Sequence, residues 1–126
     1  MPLVRIDMRE GRSQDEVAQM GEAVHDAHVA TIDVPVLDRF QVITSHPEVG
    51  LVFDPQYLGI HRTEGIVFIQ ITISVGRSLE KKRALYAAIA RNLHERVGTR
   101  PGDVFISILE VPKENWSFGN GEAQYA

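Results

Sequence analysis

The chain is written twice. Slid against itself by 65 positions, the sequence matches without a gap: Leu3-Val4-Arg5-Ile6-Asp7-Met8 lies over Phe68-Ile69-Gln70-Ile71-Thr72-Ile73, Gly11-Arg12-Ser13 over Gly76-Arg77-Ser78, and Asp38-Arg39-Phe40-Gln41-Val42-Ile43 over Asp103-Val104-Phe105-Ile106-Ser107-Ile108. Self-similarity at a fixed offset means one supersecondary unit used repeatedly, so whatever forms in residues 2–45 must form again in 67–110. Apolar residues alternate at Val4, Ile6, Met8 and at Val67, Ile69, Ile71, Ile73, the period of a strand with one buried face. Glycine breaks each strand, and Ser13 and Ser78 follow as N-caps, with Glu16 completing a capping box after Ser13. Met20, Ala23, Val24, Ala27 and Thr31 then fall at helical spacing, and Leu85, Ala88, Ile89 and Val97 repeat that pattern in the second copy. Val34-Pro35 and Pro101-Gly102 stop the helices, and new strands are expected near Asp38 and Asp103.

A strand, a long helical crossover and a second strand make a right-handed parallel βαβ unit. Two such units side by side give an α+β domain spanning 1–126: a four-stranded sheet with both helices on one face. The other face is left bare, and self-association is the expected remedy. Outside the repeat, residues 46–66 form a Pro- and Gly-rich connection with a short strand expected at Leu51-Val52-Phe53. Asn120-Gly121, between Trp116-Ser117-Phe118 and Ala123-Gln124-Tyr125, predicts a terminal hairpin over 112–126.

Composition narrows the chemistry. The sequence has no cysteine, which excludes disulfides and thiolate metal sites and makes a reducing cytoplasm the default. Thirteen basic and seventeen acidic residues without a Lys/Arg cluster give no footprint for nucleic acid. The apolar runs are far shorter than the roughly 20 residues needed to span a bilayer.

The repeat also serves as an internal control: what both copies share is required by the fold, and polar residues that break the symmetry need another reason. His28 stands on the apolar stripe where the second copy has Leu93. It is either a core histidine with its ring satisfied or a functional group, and its i, i+3 partner His25 supplies no convincing third ligand for a metal. Pro2 stands opposite Val67 at the head of the strand; removal of Met1, usual before a small residue, would expose its secondary amine. Arg12 and Arg77 match, as do Asp38 and Asp103, so turn-forming and chemical roles both stay open for them.

Met1-Pro2-Leu3-Val4-Arg5-Ile6-Asp7, Asp38-Arg39-Phe40-Gln41, Gly76-Arg77-Ser78 and Trp116-Ser117-Phe118-Gly119 together resemble the tautomerase superfamily, in particular its malonate semialdehyde decarboxylase branch. The resemblance covers essentially the whole chain. It implies a homotrimer of βαβ-repeat protomers and a catalytic amino-terminal proline, here Pro2. It further implies Asp38 as the acidic residue that orients the proline or a water, Arg77 as the carboxylate-binding residue, and Trp116 and Phe118 as an apolar wall, while His28, in Asp26-Ala27-His28, is similar to an active-site histidine of the related cis-3-chloroacrylate dehalogenase branch, which implies a substrate-binding role. The best-known decarboxylases of the branch carry a second arginine where this chain has Val75.

The chemistry follows from the amine. An α-amino group titrates near about 7.7 to 8.0, and an apolar pocket beside a guanidinium lowers that further. Neutral, it is a base or nucleophile; protonated, it polarises a carbonyl. One nitrogen thus serves decarboxylation of malonate semialdehyde, the leading expectation, and keto-enol tautomerisation of acids like phenylpyruvate, or hydration, with no cofactor or metal. The alternative from another class is a non-catalytic ligand-binding trimer of the same fold.

Overall fold

The computed structural model describes residues 2–126, and the 65-residue repeat is its organising feature. Strand β1 (Leu3–Arg9) leads through helix α1 (Gln14–Ile32) to β2 (Gln41–His46), and β3 (Val67–Ser74) leads through α2 (Leu79–Val97) to β4 (Val104–Val111). The two helices occupy the same positions in their copies to the residue. Each starts from a serine cap in extended geometry, Ser13 accepting from the Glu16 amide and Ser78 from the Lys81 amide. Only Ser13 has the full capping box, because Glu16 at the third helical position reaches back to it while Lys81 in α2 cannot. Both helices end on a left-handed residue, Asp33 at φ 60° and Gly98 at φ 72°, one position before the expected stop at Val34 in the first copy.

The sheet order is β2-β1-β3-β4, with each βαβ pair parallel and the two copies joined antiparallel through β1 and β3. A pseudo-twofold axis therefore passes through the facing pair Arg5 and Gln70. Val4, Ile6 and Met8 with Val67, Ile69, Ile71 and Ile73 point to one face, where they meet Met20, Ala23, Val24 and Ala27 of α1 and Leu85, Ala88, Ile89 and Leu93 of α2 in a single core. The opposite face bears no layer, and Leu3, Val42, Phe105 and Leu109 on it are exposed.

Three expectations are corrected. The connection forms no strand at Leu51–Phe53; it makes two short 3-10 turns, Glu48–Gly50 and Tyr57–Gly59. Side-chain cations hold it instead: Arg9 donates to Leu51 O, and the buried Arg62 donates Nη1 to the carbonyls of Asp54, Tyr57 and Ile60. The tail turns at Asn120-Gly121, both at positive φ, but no strands flank the turn. Its arms are clasped by the Gln124 amide, which accepts from Phe118 N and donates to Gly119 O. Finally, β2 starts at Gln41, three residues after Asp38, which closes a tight turn by donating N–H to Pro35 O; β4 starts at Val104, directly after Asp103 as expected, whose N–H donates to Arg100 O in the matching turn.

Candidate functional site

Antiparallel pairing of β1 with β3 brings the head of β1 beside the end of β3. One step back along that register, Pro2 reaches the level of Ile73, next to Ser74 and the Gly76-Arg77-Ser78 turn. Residues far apart in sequence therefore gather at one end of the sheet.

Pro2 is buried and shares a space of about 10 Å3 with Val4, His25, His28, Asp38, Arg39, Phe40 and Gln41. That is room for about one water molecule. His28 comes from α1 and is 1% exposed. Its Nδ1 lies 2.8 Å from Val24 O, which can only accept, so Nδ1 carries the proton and Nε2 presents a lone pair. Nε2 has no partner among the described residues. Burial pushes the imidazole pKa down to about 4, with the positive groups of His25 and Arg77 acting in the same direction, so the ring is neutral at pH 7. Asp38, at the end of the turn that follows α1, is also buried. Burial raises its carboxyl above the usual range, against the pull of His25 and Arg77. His25 supports the turn, its Nε2 lying 2.7 Å from Val36 O.

Arg77 projects from the turn after β3, where Gly76 adopts φ 126°, a conformation that L side chains rarely take. Its Nη1 donates to Ser74 O at 3.2 Å, leaving most of its five N–H groups for a cleft of about 390 Å3 lined by Ile32, Val75, Gly76, Arg77, Ser78 and Lys81. Lys81 is held by Asp33 at 2.8 Å. Val75 is 53% exposed at the cleft. The Trp116 indole donates to Ser74 Oγ at 3.0 Å, and Phe118 stacks on it at 5.3 Å with Tyr125 edge-on beyond. Ser74 thus anchors both Arg77, through its carbonyl, and the tail, through its hydroxyl.

The structure brings Pro2, His28 and Asp38 onto one space, with Arg77 close enough to act on both titratable members. It places His28 on the Pro2 space and not on the Arg77 cleft, and neither Trp116 nor Phe118 lines the cleft walls within the chain. Sequence reasoning missed Ser74, Arg39 and Gln41. A signal for Gln41 existed in Gly21, which sits in a helix where the second copy has Tyr86. A Cβ on Gly21 would lie 2.8 Å from Gln41 Oε1, and Gln41 Nε2 donates to Gly21 O.

Known proteins resemble this chain in sequence and in fold. Two family profiles, both described as tautomerase enzyme, match residues 2–60 and 38–119. The chain is 40% identical to the probable tautomerase YusQ of Bacillus subtilis (strain 168), over 98% of both proteins. It is 40% identical over 57 residues to the 2-hydroxymuconate tautomerase of Comamonas testosteroni, a match covering 45% of this chain and 90% of that protein, about one repeat unit. Among solved structures it is similar to a malonate semialdehyde decarboxylase inhibited by 3-bromopropiolate, with 38% identity, a TM-score of 0.92, and coverage of 98% of this chain and 93% of that one. Sequence along its whole length and fold alike make this chain a member of the tautomerase family.

Proposed function

We propose that the chain is a cofactor-independent enzyme that uses the Pro2 amine, exposed by loss of Met1, on small oxo-carboxylates, with decarboxylation of malonate semialdehyde as its leading reaction. The observation that carries this reading is the burial of Pro2 against Asp38 at the sheet end that also bears Arg77. Arg77 holds the substrate carboxylate, and the protonated Pro2 amine hydrogen-bonds the aldehyde oxygen. The bond from the carboxylate carbon to the α carbon breaks, its electron pair forms the enolate, carbon dioxide leaves, and protonation of the α carbon gives acetaldehyde. Stabilising the developing enolate by a fixed donor is the chief source of acceleration. His28, neutral and on the Pro2 space, is an acceptor that helps hold the amine or a water, and Trp116 and Phe118 fix the β3 end through Ser74. The similarity to a malonate semialdehyde decarboxylase supports this assignment.

Keto-enol tautomerisation of aryl oxo-acids is the second reading, favoured by the exposed Val75 beside Arg77, which offers an apolar contact where a second charge would demand another anion. In either case the uncovered sheet face is the surface on which three copies associate.

The test records intact mass, carbon dioxide release from malonate semialdehyde, and ketonisation of phenylenolpyruvate on one preparation, with Pro2→Ala alongside. The chain without Met1 turns over at least one substrate, and Pro2→Ala loses about 100-fold or more, the scale of acid-base catalysis by one group, with its circular dichroism unchanged. Full activity in Pro2→Ala would overturn the mechanism, and silence in both assays from a Met1-free chain would favour the ligand-binding alternative.

A further inference from the structure

The repeat gives the chain two equivalent clefts, one beside each Gly-Arg-Ser turn. At the Pro2 end Val75, Arg77 and Lys81 line a space of about 390 Å3; at the Val67 end their counterparts 65 positions away, Glu10, Arg12 and Glu16, line one of about 450 Å3. At these matched positions the two clefts are opposite in charge. Arg12 is outnumbered by two glutamates, and its guanidinium is already taken by Gly65 O, in a segment of the chain that fills this end, at 2.7 Å. Arg77 and Lys81 are both cationic, and Val75 is neutral. The matched positions therefore favour an anion at the Pro2 end alone.

One carboxylate works against that charge. Asp33, the residue that ends α1, accepts from Lys81 Nζ at 2.8 Å, and the two side chains are 81% and 48% exposed. An ion pair this exposed adds little stability, while each member carries a local cost that its counterpart avoids. Asp33 takes φ 60° where the second copy has Gly98, and it puts a negative charge at the negative end of a helix with no basic residue in its last turn. Lys81 puts a positive charge in the first turn of α2 and forgoes the capping box that Glu16 makes in α1. Two charges that break the symmetry, each on the wrong helix end, thus meet beside the Arg77 cleft. The Lys81 ammonium, assisted by the Arg77 guanidinium, holds the Asp33 carboxyl below its ordinary range, so it stays charged at neutral pH.

We propose that Asp33 sets the number of charges on the ligand: by cancelling Lys81 it leaves one net positive charge in the cleft, on Arg77, so that substrates with one carboxylate are selected over those with two. Malonate semialdehyde and phenylpyruvate each carry one. Asp33 touches no substrate in this scheme and acts through Lys81, as a specificity-determining residue. The inference rests on the proposed role of Arg77 as the group that holds the substrate carboxylate.

Titration calorimetry with butanoate and butanedioate, which share one carbon chain and do not react, reads this preference at neutral pH. Asparagine tolerates the left-handed backbone of Asp33, so Asp33→Asn keeps the fold and releases Lys81. In that variant the ratio of butanedioate to butanoate affinity rises about threefold to fivefold, the scale of one exposed ion pair. Adding Lys81→Met returns the ratio to the wild-type value, and raising the salt concentration shrinks the difference. An Asp33 that served structure alone would shift the melting temperature and leave the ratio unmoved. A ratio in Asp33→Asn within about twofold of wild type, or a rise that survives Lys81→Met, overturns the proposal. Arg77→Ala separates this failure from that of the reading beneath it. Binding of both probes that weakens in Arg77→Ala, with a ratio indifferent to Asp33, sinks the inference alone; binding indifferent to Arg77, or no binding in any variant, sinks the role of Arg77 and the inference together.

Discussion

The two ends of this molecule are built from one plan and differ in what fills them. At the Val67 end the chain runs on into the turn: Asp103 is satisfied by Thr63, Arg12 by Gly65, and Leu93 packs as hydrocarbon. At the Pro2 end His28 replaces Leu93, and its buried Nε2 has no partner among the described residues. An unsatisfied buried polar atom costs about 1 to 3 kcal/mol, and a fold that needed only to be stable would use leucine at both places. The difference teaches which polar groups the architecture requires, Asp103 and Arg12, and which it merely tolerates, His28 above all.

Three experiments break or sharpen this comparison. The largest effect is expected from acid. His28 titrates near 4 in the fold against an ordinary 6.5, so the unfolded chain binds more protons between those values and stability falls as pH drops through that window. The loss from this group amounts to about 3 kcal/mol once pH is below both values. His28→Leu, which makes the first copy match Leu93, removes that loss. Urea unfolding at pH 7 and pH 4.5 reads it, and a variant as acid-sensitive as wild type would contradict it.

A somewhat smaller effect separates the aspartates. Asp103→Ala strands the Thr63 amide and hydroxyl at the filled end and costs about 2 kcal/mol. Asp38→Ala costs less at pH 7, because burial already works against its charged form. Raising pH through the elevated folded pKa weakens the wild type at this site, so the balance shifts further toward Asp38→Ala as pH increases from the acid side to neutrality. Melting temperatures of the two variants side by side decide the order. The smallest effect concerns the helix starts: Ser13→Ala removes a cap worth about 1 kcal/mol, and Ser78→Ala removes less because no reciprocal side-chain bond supports it. Equal losses would mean that the capping box adds nothing here.

Most of this architecture is legible in the sequence. The 65-residue offset, the serine caps and the alternating apolar runs place four strands and both helices. Pro2, Asp38 and Arg77 could be singled out, but their meeting depends on the antiparallel pairing of β1 with β3, which no local pattern encodes. The connection and the tail were misread for a related reason. Leu51-Val52-Phe53 is apolar enough for a strand, yet Arg9 takes the Leu51 carbonyl and Arg62 takes those of Asp54, Tyr57 and Ile60, holding the connection in turns. In the tail, Gln124 does with its side chain what a hairpin does with its backbone. His28 could be seen as asymmetric, but only packing shows which nitrogen holds the proton.

The antiparallel junction has one more consequence. It sets the two Gly-Arg-Ser turns at opposite ends of strands of seven and eight residues, a separation of about 25 Å at the rise of a strand. Over that distance substitutions at one turn and at the other are energetically additive. Substitutions at the filled end therefore leave the Pro2 end unperturbed, and two matching halves have no physical link forcing them to remain alike.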